Sequence, residues 1–366
     1  MAILSSLLSV EGIGSRMLLK LLAIFNTPEE IFAARLDELV EVTGISVGMA
    51  QKILKSKSNY RETLSELKKE SEKLAQFGGK ILTVSDDEYP ERLRNIYSPP
   101  VLLYYIGDIS LIDSNSISIV GTRKPSRYGI KQAEYFSEKL AENGLVIVSG
   151  LARGIDSAAH RACLKSGGKT IAVIGSGLDW IYPPENKSLF YEIAEKGLIL
   201  SEYKLGTKPD GKNFPQRNRI IAGLTLGTLV IETKTSGGAL NTASIALNEG
   251  REVFAVPGNL GVTTSEGTNL LIQRGEAKIT LKVSDILEEL NIAAPKEKEK
   301  KVKQVDISQL NLFEQKIYES LTDEPLHIDS ISAKSGLSVV DCSIHLLSLE
   351  FKGIVEQLPG KYFVKT

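Results

Sequence analysis

Short, nearly continuous aliphatic runs alternate with longer amphipathic segments from residue 78 to about residue 292. Runs of this kind are typical of strands in a sheet that is covered on both faces. The segments between them, such as 129–143 and 155–165, are long enough for crossover helices. Six runs predict strands: 118–120, 145–148, 170–174, 198–200, 228–231 and 253–256. The pattern therefore predicts an α/β region with a doubly wound, mostly parallel sheet, whose ligand site lies at the carboxyl ends of the strands.

Residues 1–75 instead show apolar positions at helical spacing, which predicts a small all-α domain. Segments 10–14 and 42–46 repeat each other 32 residues apart, each with a glycine turn, an aliphatic residue and a small residue where a helix begins. This repeat is similar to the helix-hairpin-helix element of sterile-alpha-motif-like domains, whose helix starts can hold a DNA phosphate. A plain glycine-capped helical turn explains the same residues equally well.

The C-terminal part begins with residues 293–304, which contain almost no apolar side chains and predict a charged linker. Residues 305–366 then predict helices at 313–321, 328–334 and 339–351, followed by a hairpin over 354–364. Three helices and a hairpin are the layout of a winged-helix domain. The domains are thus expected at 1–75, 78–292 and 305–366.

The last predicted helix does not suit the major groove of DNA. It carries Asp341, His345 and Glu350, and Lys352 is the only cation near them. A groove-reading helix normally presents several cations or amides. We therefore expect the winged-helix domain to contact a partner or to have a regulatory role, rather than to read the sequence of a duplex.

Composition narrows the possible classes of protein only a little. The chain has 366 residues, with 44 Lys and Arg against 45 Asp and Glu, so its net charge is −1. This excludes a uniformly basic, histone-like binder. Two distant cysteines exclude a disulfide framework, and three histidines provide no zinc-ligand spacing. The apolar first ten residues are too short to span a bilayer. We expect a cytoplasmic protein without a metal, a cofactor or a membrane segment.

Glycine and small hydroxyl residues recur where the predicted strands end. Such loops present backbone N–H groups and positive helix ends to anions, and five of them on one edge predict a phosphate-lined groove. They cover residues 121–129, 149–156, 175–177, 235–242 and 257–259. Dinucleotide binding is disfavoured, because Arg123 stands where the second glycine of that fingerprint is needed. A Walker-type loop does not occur either, so NAD and ATP are not expected.

Local charge points to a polynucleotide. Residues 122–131 contain four cations and no acid, and residues 204–219 contain five cations and one acid, so each run carries +4. The second run also holds Phe214, Gln216 and Asn218. Cations for phosphates, an aromatic ring for a base and amides for base edges are what binding of a single strand requires.

At this point the residues resemble a known family, the bacterial DNA-processing protein A (DprA, or Smf). The likeness runs in order over about residues 80–290, through segments 121–123, 149–160, 182–186, 201–203, 214–224, 236–243, 253–258 and 267–272. It implies a Rossmann-like, single-stranded DNA-binding protein of natural transformation that protects incoming strands. It further implies loading of the RecA recombinase, a homodimer through the central domain, and no enzymatic activity.

Carried onto this sequence, the resemblance makes Arg123 a phosphate contact beside Gly121, Lys212 a second cation, and Phe214 a surface for a base. Arg217 and Arg219 would shape the same groove, although Arg219 could instead pair with Glu232. The expected DNA-binding set is Gly121, Thr122, Arg123, Ser149, Gly150, Lys212, Phe214, Arg217, Asn218, Arg219, Ser236, Gly237, Gly238 and Thr242. Asp156 and His160 are expected to hold the fold through hydrogen bonds.

One enzymatic alternative stays open. Residues 236–242 also look like the phosphate loop of phosphoribohydrolases that cleave nucleoside monophosphates. Those enzymes place a glutamate directly after the loop, whereas Ala243, Ser244 and Ile245 follow here. We therefore expect shared phosphate-binding architecture without the reaction.

Overall fold

The computed structural model describes residues 1–292, 310–322 and 325–365. The chain divides into two compact units, residues 1–294 and 295–366. The predicted linker at 293–304 lies outside the described residues, and the predicted domain limits stay a prediction. No helix in the described part of the chain is both long and apolar enough to cross a membrane.

Six helices form the N-terminal part of the first unit: α1 (Ala2–Leu8), α2 (Ser15–Phe25), α3 (Pro28–Ala33), α4 (Leu36–Glu41), α5 (Val47–Ser58) and α6 (Tyr60–Gln76). The internal repeat is visible in how they pack. Gly12 and Gly44 both have positive φ, and a side chain at Gly12 would meet Met49 while one at Gly44 would meet Met17. Each glycine turn therefore packs against the helix that follows the other turn.

A nine-stranded sheet forms the centre of the first unit. Its strands are β1 (Gly79–Thr83), β2 (Leu102–Gly107), β3 (Ser116–Gly121), β4 (Val146–Ser149), β5 (Thr170–Ile174), β6 (Leu198–Ser201), β7 (Gly227–Ile231), β8 (Glu252–Ala255) and β9 (Lys278–Ile279). Their spatial order is β1-β2-β6-β5-β4-β3-β7-β8-β9. Strands β3 to β9 are mutually parallel. At one edge of the sheet, β2 runs antiparallel to β6, and β1 runs antiparallel to β2. The chain reverses its direction of winding between β3 and β7, and a crevice forms at such a switch point.

Helices cover both faces of this sheet. They are α7 (Glu91–Arg94), α8 (Arg127–Glu142), α9 (Ile155–Lys165), α10 (Lys187–Lys196), α11 (Asn213–Leu224), α12 (Gly238–Asn248), α13 (Glu266–Gln273) and α14 (Val283–Glu289). Helices α8, α9 and α14 share one buried cluster with the sheet. Residues of α11 and α12 share another with the N-terminal helices. The doubly wound α/β fold is thus confirmed.

All six predicted strands are present, with ends within two residues of the prediction. The antiparallel pair β1 and β2 and the two-residue β9 were not predicted. β2 is almost wholly apolar, so its sequence does not show whether it runs parallel or antiparallel to β6. Pairing with a strand far along the chain decided its direction.

The second unit has the predicted winged-helix layout. It contains α15 (Leu312–Ser320), α16 (Ile328–Ser335) and α17 (Val339–Phe351), and a hairpin of β11 (Val355–Leu358) and β12 (Tyr362–Lys365). A short strand that was not predicted, β10 (Leu326–His327), pairs with β12. Gly360 and Lys361 both have positive φ where the hairpin reverses.

Candidate nucleic-acid interface

An open cavity of about 700 Å³ lies at the carboxyl ends of β3 and β7, at the switch point of the sheet. We call it the switch-point groove. Nine of the fourteen predicted site residues line it: Gly121, Thr122, Arg123, Phe214, Arg217, Asn218, Gly237, Gly238 and Thr242. They come from three separate stretches of the chain, which the parallel sheet brings to one edge.

The β3 loop supplies an exposed cation. A side chain at Gly121 would overlap the carbonyl oxygen of Ile231 on the neighbouring strand, so only glycine fits there. The Thr122 N–H donates to the Glu232 carbonyl at 2.7 Å and extends the β3–β7 pairing by one residue. Arg123 then leaves the sheet and is exposed to solvent, with its guanidinium 5.3 Å from the centre of the Phe214 ring.

Two of the helix starts at this edge already hold a carboxylate of the protein itself. At the start of α8, Glu232 accepts hydrogen bonds from the Ser126 N–H at 2.8 Å and from the Ser126 hydroxyl at 2.5 Å. Before α9, Asp156 accepts from the N–H groups of Gly150 and Ala152 at 3.1 and 3.4 Å. The start of α8 is therefore satisfied internally, and α9 already has a carboxylate in its first turn.

The start of α12 is different, because no side chain caps it and its first turn contains no acidic residue. Its N-cap is Gly237, where a side chain would overlap the Thr233 hydroxyl, and its first residue is Gly238, which faces open space. Lys234 and Asn241 stand beside it in the lining of the groove. Free N–H groups at a helix start next to a cation form a binding place for an anion. Of the five predicted anion loops, this one is best suited to a phosphate.

Helix α11 forms the opposite wall. The Asn213 side-chain amide donates to the Gly175 carbonyl at 3.1 Å and anchors the start of this helix. Arg217 is buried and donates to the carbonyl oxygens of Gly150, at 2.8 Å, and Val173. Burial lowers the pKa of Arg217 to about 10, and the Asp156 carboxylate opposes that shift. Arg217 is therefore still charged at neutral pH and ties α11 to the loop after β4 and to strand β5.

Phe214 lies among cations and a second aromatic ring. The Arg217 guanidinium is 5.9 Å from the centre of its ring, and the Tyr182 ring is at the same distance, tilted by 36°. Phe214 is half-buried. An aromatic surface with guanidinium groups beside it suits a stacked nucleobase.

Five predicted site residues do not line the switch-point groove. Ser149 is buried and donates to the Ile119 carbonyl at 2.7 Å. Gly150 lines a small adjoining pocket that shares Arg123 and Phe214. Ser236 is exposed beside the α12 start, and the Lys212 ammonium lies 3.5 Å from Asp210, with its side chain 76% exposed.

The fifth, Arg219, requires a correction. It pairs with Glu202 at 2.5 Å, and Glu232 is bound to Ser126, so the alternative pairing with Glu232 is wrong. Arg219 faces a second groove, which Ser15 and Lys204 also line. Helix periodicity explains the difference, because Arg217 and Arg219 are two residues apart and point to different sides of α11.

Asp156 and His160 are internal hydrogen bonders, as predicted. The Thr170 hydroxyl donates to the Ile147 carbonyl at 2.6 Å and accepts from His160 Nδ1 at 2.6 Å. Burial, together with Arg217 and Arg161, lowers the pKa of His160 to about 3, so the ring is neutral. Burial raises the pKa of Asp156, against the opposing effects of Arg217 and two backbone N–H groups. His160 does not line the groove, whereas the Asp156 carboxylate does and is bonded to backbone N–H groups.

Lys234, Tyr182 and Asn241 line the groove but were not in the predicted set. Lys234 directly precedes the 235–242 loop, so extending that loop by one residue would have found it. Tyr182 approaches Phe214 only through tertiary packing, because Tyr182 lies in the loop after β5 and Phe214 in α11, which follows β6. Asn241 is one helical turn into α12, on the side that faces the groove.

In the winged-helix unit, the cation near the last helix is already engaged. Lys352 donates to both carboxylate oxygens of the buried Glu314, at 2.7 and 2.8 Å. The outer side of α17 is apolar: Val340, Ile344, Leu347 and Phe351 are between 51% and 85% exposed. At 100° per residue these four form one narrow stripe opposite the buried Cys342, Leu346 and Leu349. This surface does not offer the charge that a DNA backbone requires.

Comparison with protein families agrees with this architecture. The model described as DNA recombination-mediator protein A matches residues 80–291, which is more than half of the chain. The chain belongs to this family. The DprA winged helix domain matches residues 305–361, and a SAM-like helix-hairpin-helix tandem matches residues 4–56.

Individual relatives are similar over long stretches. Protein Smf of Synechocystis is 38% identical, over 96% of this chain and 95% of its own length. The DNA processing protein DprA of Streptococcus pneumoniae is 48% identical, over 62% of this chain and 77% of its own length. Its X-ray structure superposes with a TM-score of 0.68 and covers 79% of this chain and 95% of that one. A Helicobacter pylori DprA structure, described for its single-stranded DNA binding mode, has 32% identity and a TM-score of 0.54 and covers 59% of this chain and 97% of that one.

Proposed function

We propose that this protein binds single-stranded DNA in natural transformation and protects the incoming strand. The observation that carries the proposal is the convergence of exposed Arg123 and the open α12 start on one cavity whose wall holds Phe214. Phosphates then contact Arg123, Lys234 and the N–H groups of α12, and a base lies against Phe214. The resemblance to DprA proteins, one of them described as binding single strands, supports the same function.

The groove favours a single strand over a duplex. Phe214 and Tyr182 lie inside the cavity, among the residues of its wall. In a duplex, paired bases are stacked on one another and cannot reach such rings. An unpaired strand can turn its bases inward while its backbone follows the cations.

The experiment is a titration of matched single- and double-stranded oligonucleotides over a range of salt concentrations, with nucleoside monophosphates as competitors. We expect preference for the single strand, weaker binding as salt rises, and poor competition by monophosphates. Equal affinity for both forms, or no binding at low salt, contradicts the proposal.

RecA loading and a homodimer through the central domain belong to the same proposal and rest on the family. Exposed apolar residues near edge strand β9 support a protein contact there: Leu260, Ile279 and Leu281 are 92%, 47% and 68% exposed. An oppositely placed patch on a second copy would cover them. We expect Leu281→Arg to convert a dimer to a monomer in light scattering, and an unchanged mass would contradict this site.

For the winged-helix unit we propose a protein contact rather than duplex reading. The apolar stripe on α17 and the engagement of Lys352 by Glu314 support it. The protein carries out these roles in the cytoplasm and without chemical turnover of the nucleic acid.

A further inference from the structure

Beyond the switch-point groove, the same edge of the sheet carries an exposed aromatic ring with a cation. Trp180, the single tryptophan of the chain, is 41% exposed in the loop after β5. The ammonium group of Lys208, in the loop after β6, lies 5.4 Å from the centre of the indole ring. Burying a ring of this size would normally be favourable, so its exposure requires an explanation.

The two loops are held together by hydrogen bonds. The Gly177 N–H donates to the Thr207 carbonyl at 2.9 Å, and the Gly206 N–H donates to the Asp179 carboxylate at 2.9 Å. A side chain at Gly177 would lie 2.6 Å from the Lys204 carbonyl, so glycine permits this close approach. These bonds fix the relative position of the two loops that carry the indole and the ammonium.

The position of Trp180 is fixed from its own loop as well. The backbone N–H of Trp180 donates to the Gly177 carbonyl at 2.9 Å, and the Trp180 carbonyl accepts from the buried Ser176 hydroxyl at 2.7 Å. Lys208 is exposed and has no ion-pair partner among the described residues. By contrast, Lys212 in the same loop is close to Asp210.

Both members of the pair adjoin the wall of the switch-point groove. Tyr182 lines the groove two residues after Trp180, and Pro209 lines it directly after Lys208. A strand that leaves the groove past Tyr182 thus meets the indole next. A preformed aromatic surface with a free cation has the chemistry that binds a nucleobase and its phosphate.

We propose that Trp180 and Lys208 form a second base-stacking site that extends the switch-point groove along the DNA strand. The ligand is an unpaired nucleotide of the same strand, so the inference rests on the proposed single-strand function. The indole stacks on the base and Lys208 contacts the adjoining phosphate. The site lengthens the bound segment without adding sequence preference, because every base has a face that can stack.

The test uses the full chain and an end-labelled oligothymidine of about fifteen nucleotides, within the range of single-strand site sizes. Binding is measured by anisotropy and, separately, by the fluorescence of Trp180. We expect quenching on binding, at least about fivefold weaker affinity in Trp180→Ala, and affinity within about twofold of wild type in Trp180→Phe. Lys208→Ala should lower the salt slope by about one. Tyr191→Ala is the matched control, since Tyr191 is 55% exposed on α10 and lines no part of the groove.

The outcomes separate this inference from the proposed function. If wild-type protein binds and Arg123→Ala weakens binding, but Trp180→Ala binds normally and the tryptophan signal does not change, the second site is excluded and the groove stands. If wild-type protein does not bind a single strand at all, the proposed function fails and the second site fails with it.

Discussion

The switch-point groove lies where doubly wound folds ordinarily bind their ligands, and α17 is the last helix of a winged-helix layout, yet the side chains of the two surfaces differ. In the groove, Arg123 and Lys234 are exposed and have no carboxylate partner among the described residues. Beside α17, Lys352 is bound to a buried carboxylate and the exposed positions are aliphatic or aromatic. The difference teaches that a cation can support DNA binding only when it is not already paired with a carboxylate of the protein.

The same distinction holds inside the groove. Arg217 on α11 and Arg123 in the β3 loop are both near Phe214, but only Arg217 is buried and bonded to backbone carbonyl oxygens. Arg217 therefore holds the loops in position, and Arg123 is available to a ligand.

The largest expected effect is on stability. Arg217→Ala should reduce the free energy of unfolding of the first unit by about 3–5 kcal/mol, because two buried carbonyl oxygens lose a charged donor and the buried Asp156 loses a nearby positive charge. Arg219→Ala, which breaks the less buried pair with Glu202, should cost about 1 kcal/mol or less. Urea unfolding of both variants measures the difference. Equal losses would show that Arg217 does not hold the loops.

The next effect is on binding. Arg123→Ala should weaken single-strand binding by about 1–3 kcal/mol and reduce its salt dependence, because one charge-assisted contact is lost. The melting temperature should hardly change, since Arg123 is exposed. Lys334→Ala, an exposed cation on α16, is the control and should bind like wild type. Weaker binding in the control would contradict the contrast between the two surfaces.

The winged-helix unit should lose stability in acid. Burial alone would raise the pKa of Glu314, but bonds from Lys352, Ser348 and the Asn311 N–H lower it to about 2. A lowered pKa stabilises the fold above the ordinary value of 4.5, and the stabilisation is lost as pH falls from there toward 2. We expect about 1–2 kcal/mol, because Lys352 is partly exposed. Thermal unfolding of wild type and Glu314→Gln between pH 2 and pH 7 tests this; parallel curves would rule it out.

A smaller effect is expected at Lys212. Its ammonium is close to Asp210 and outside the groove lining. Lys212→Ala should therefore weaken single-strand binding by about 1 kcal/mol or less, whereas Lys234→Ala should approach the effect of Arg123→Ala. Oligonucleotide titrations of the two variants decide which lysine is the second cation. A larger loss at Lys212 would restore the role that the resemblance implied.

We expect no cleavage of nucleoside monophosphates by this protein. Among the described residues of the groove lining, Asp156 is the only carboxylate, and it is bonded to backbone N–H groups. Incubation with nucleoside monophosphates should release no base, as measured by chromatography against a reaction without protein. Repeated turnover would establish the phosphoribohydrolase alternative.

Much of this architecture can be predicted from the sequence. The six parallel strands follow from short aliphatic runs, and the internal repeat follows from two similar glycine turns 32 residues apart. Residues Gly121, Arg123, Phe214 and Gly238 could be assigned to one groove because they follow strands or begin helices of one parallel sheet. Such local signals depend on neighbouring residues and on a periodicity that the sequence displays directly.

What only the tertiary structure decided is which charges and helix ends are free. The sequence shows five anion loops and two +4 runs as equivalents, but Glu232 bonds to the start of α8 from a distant position, and Asp156 of α9 folds back onto the loop before its own helix. Likewise Arg219 meets Glu202 and Lys352 meets Glu314. The sequence by itself determined the sheet, its edge and the kind of ligand expected there. Packing decided which groups remain for that ligand, because a charge is neutralised by whatever the fold brings within a few ångströms of it.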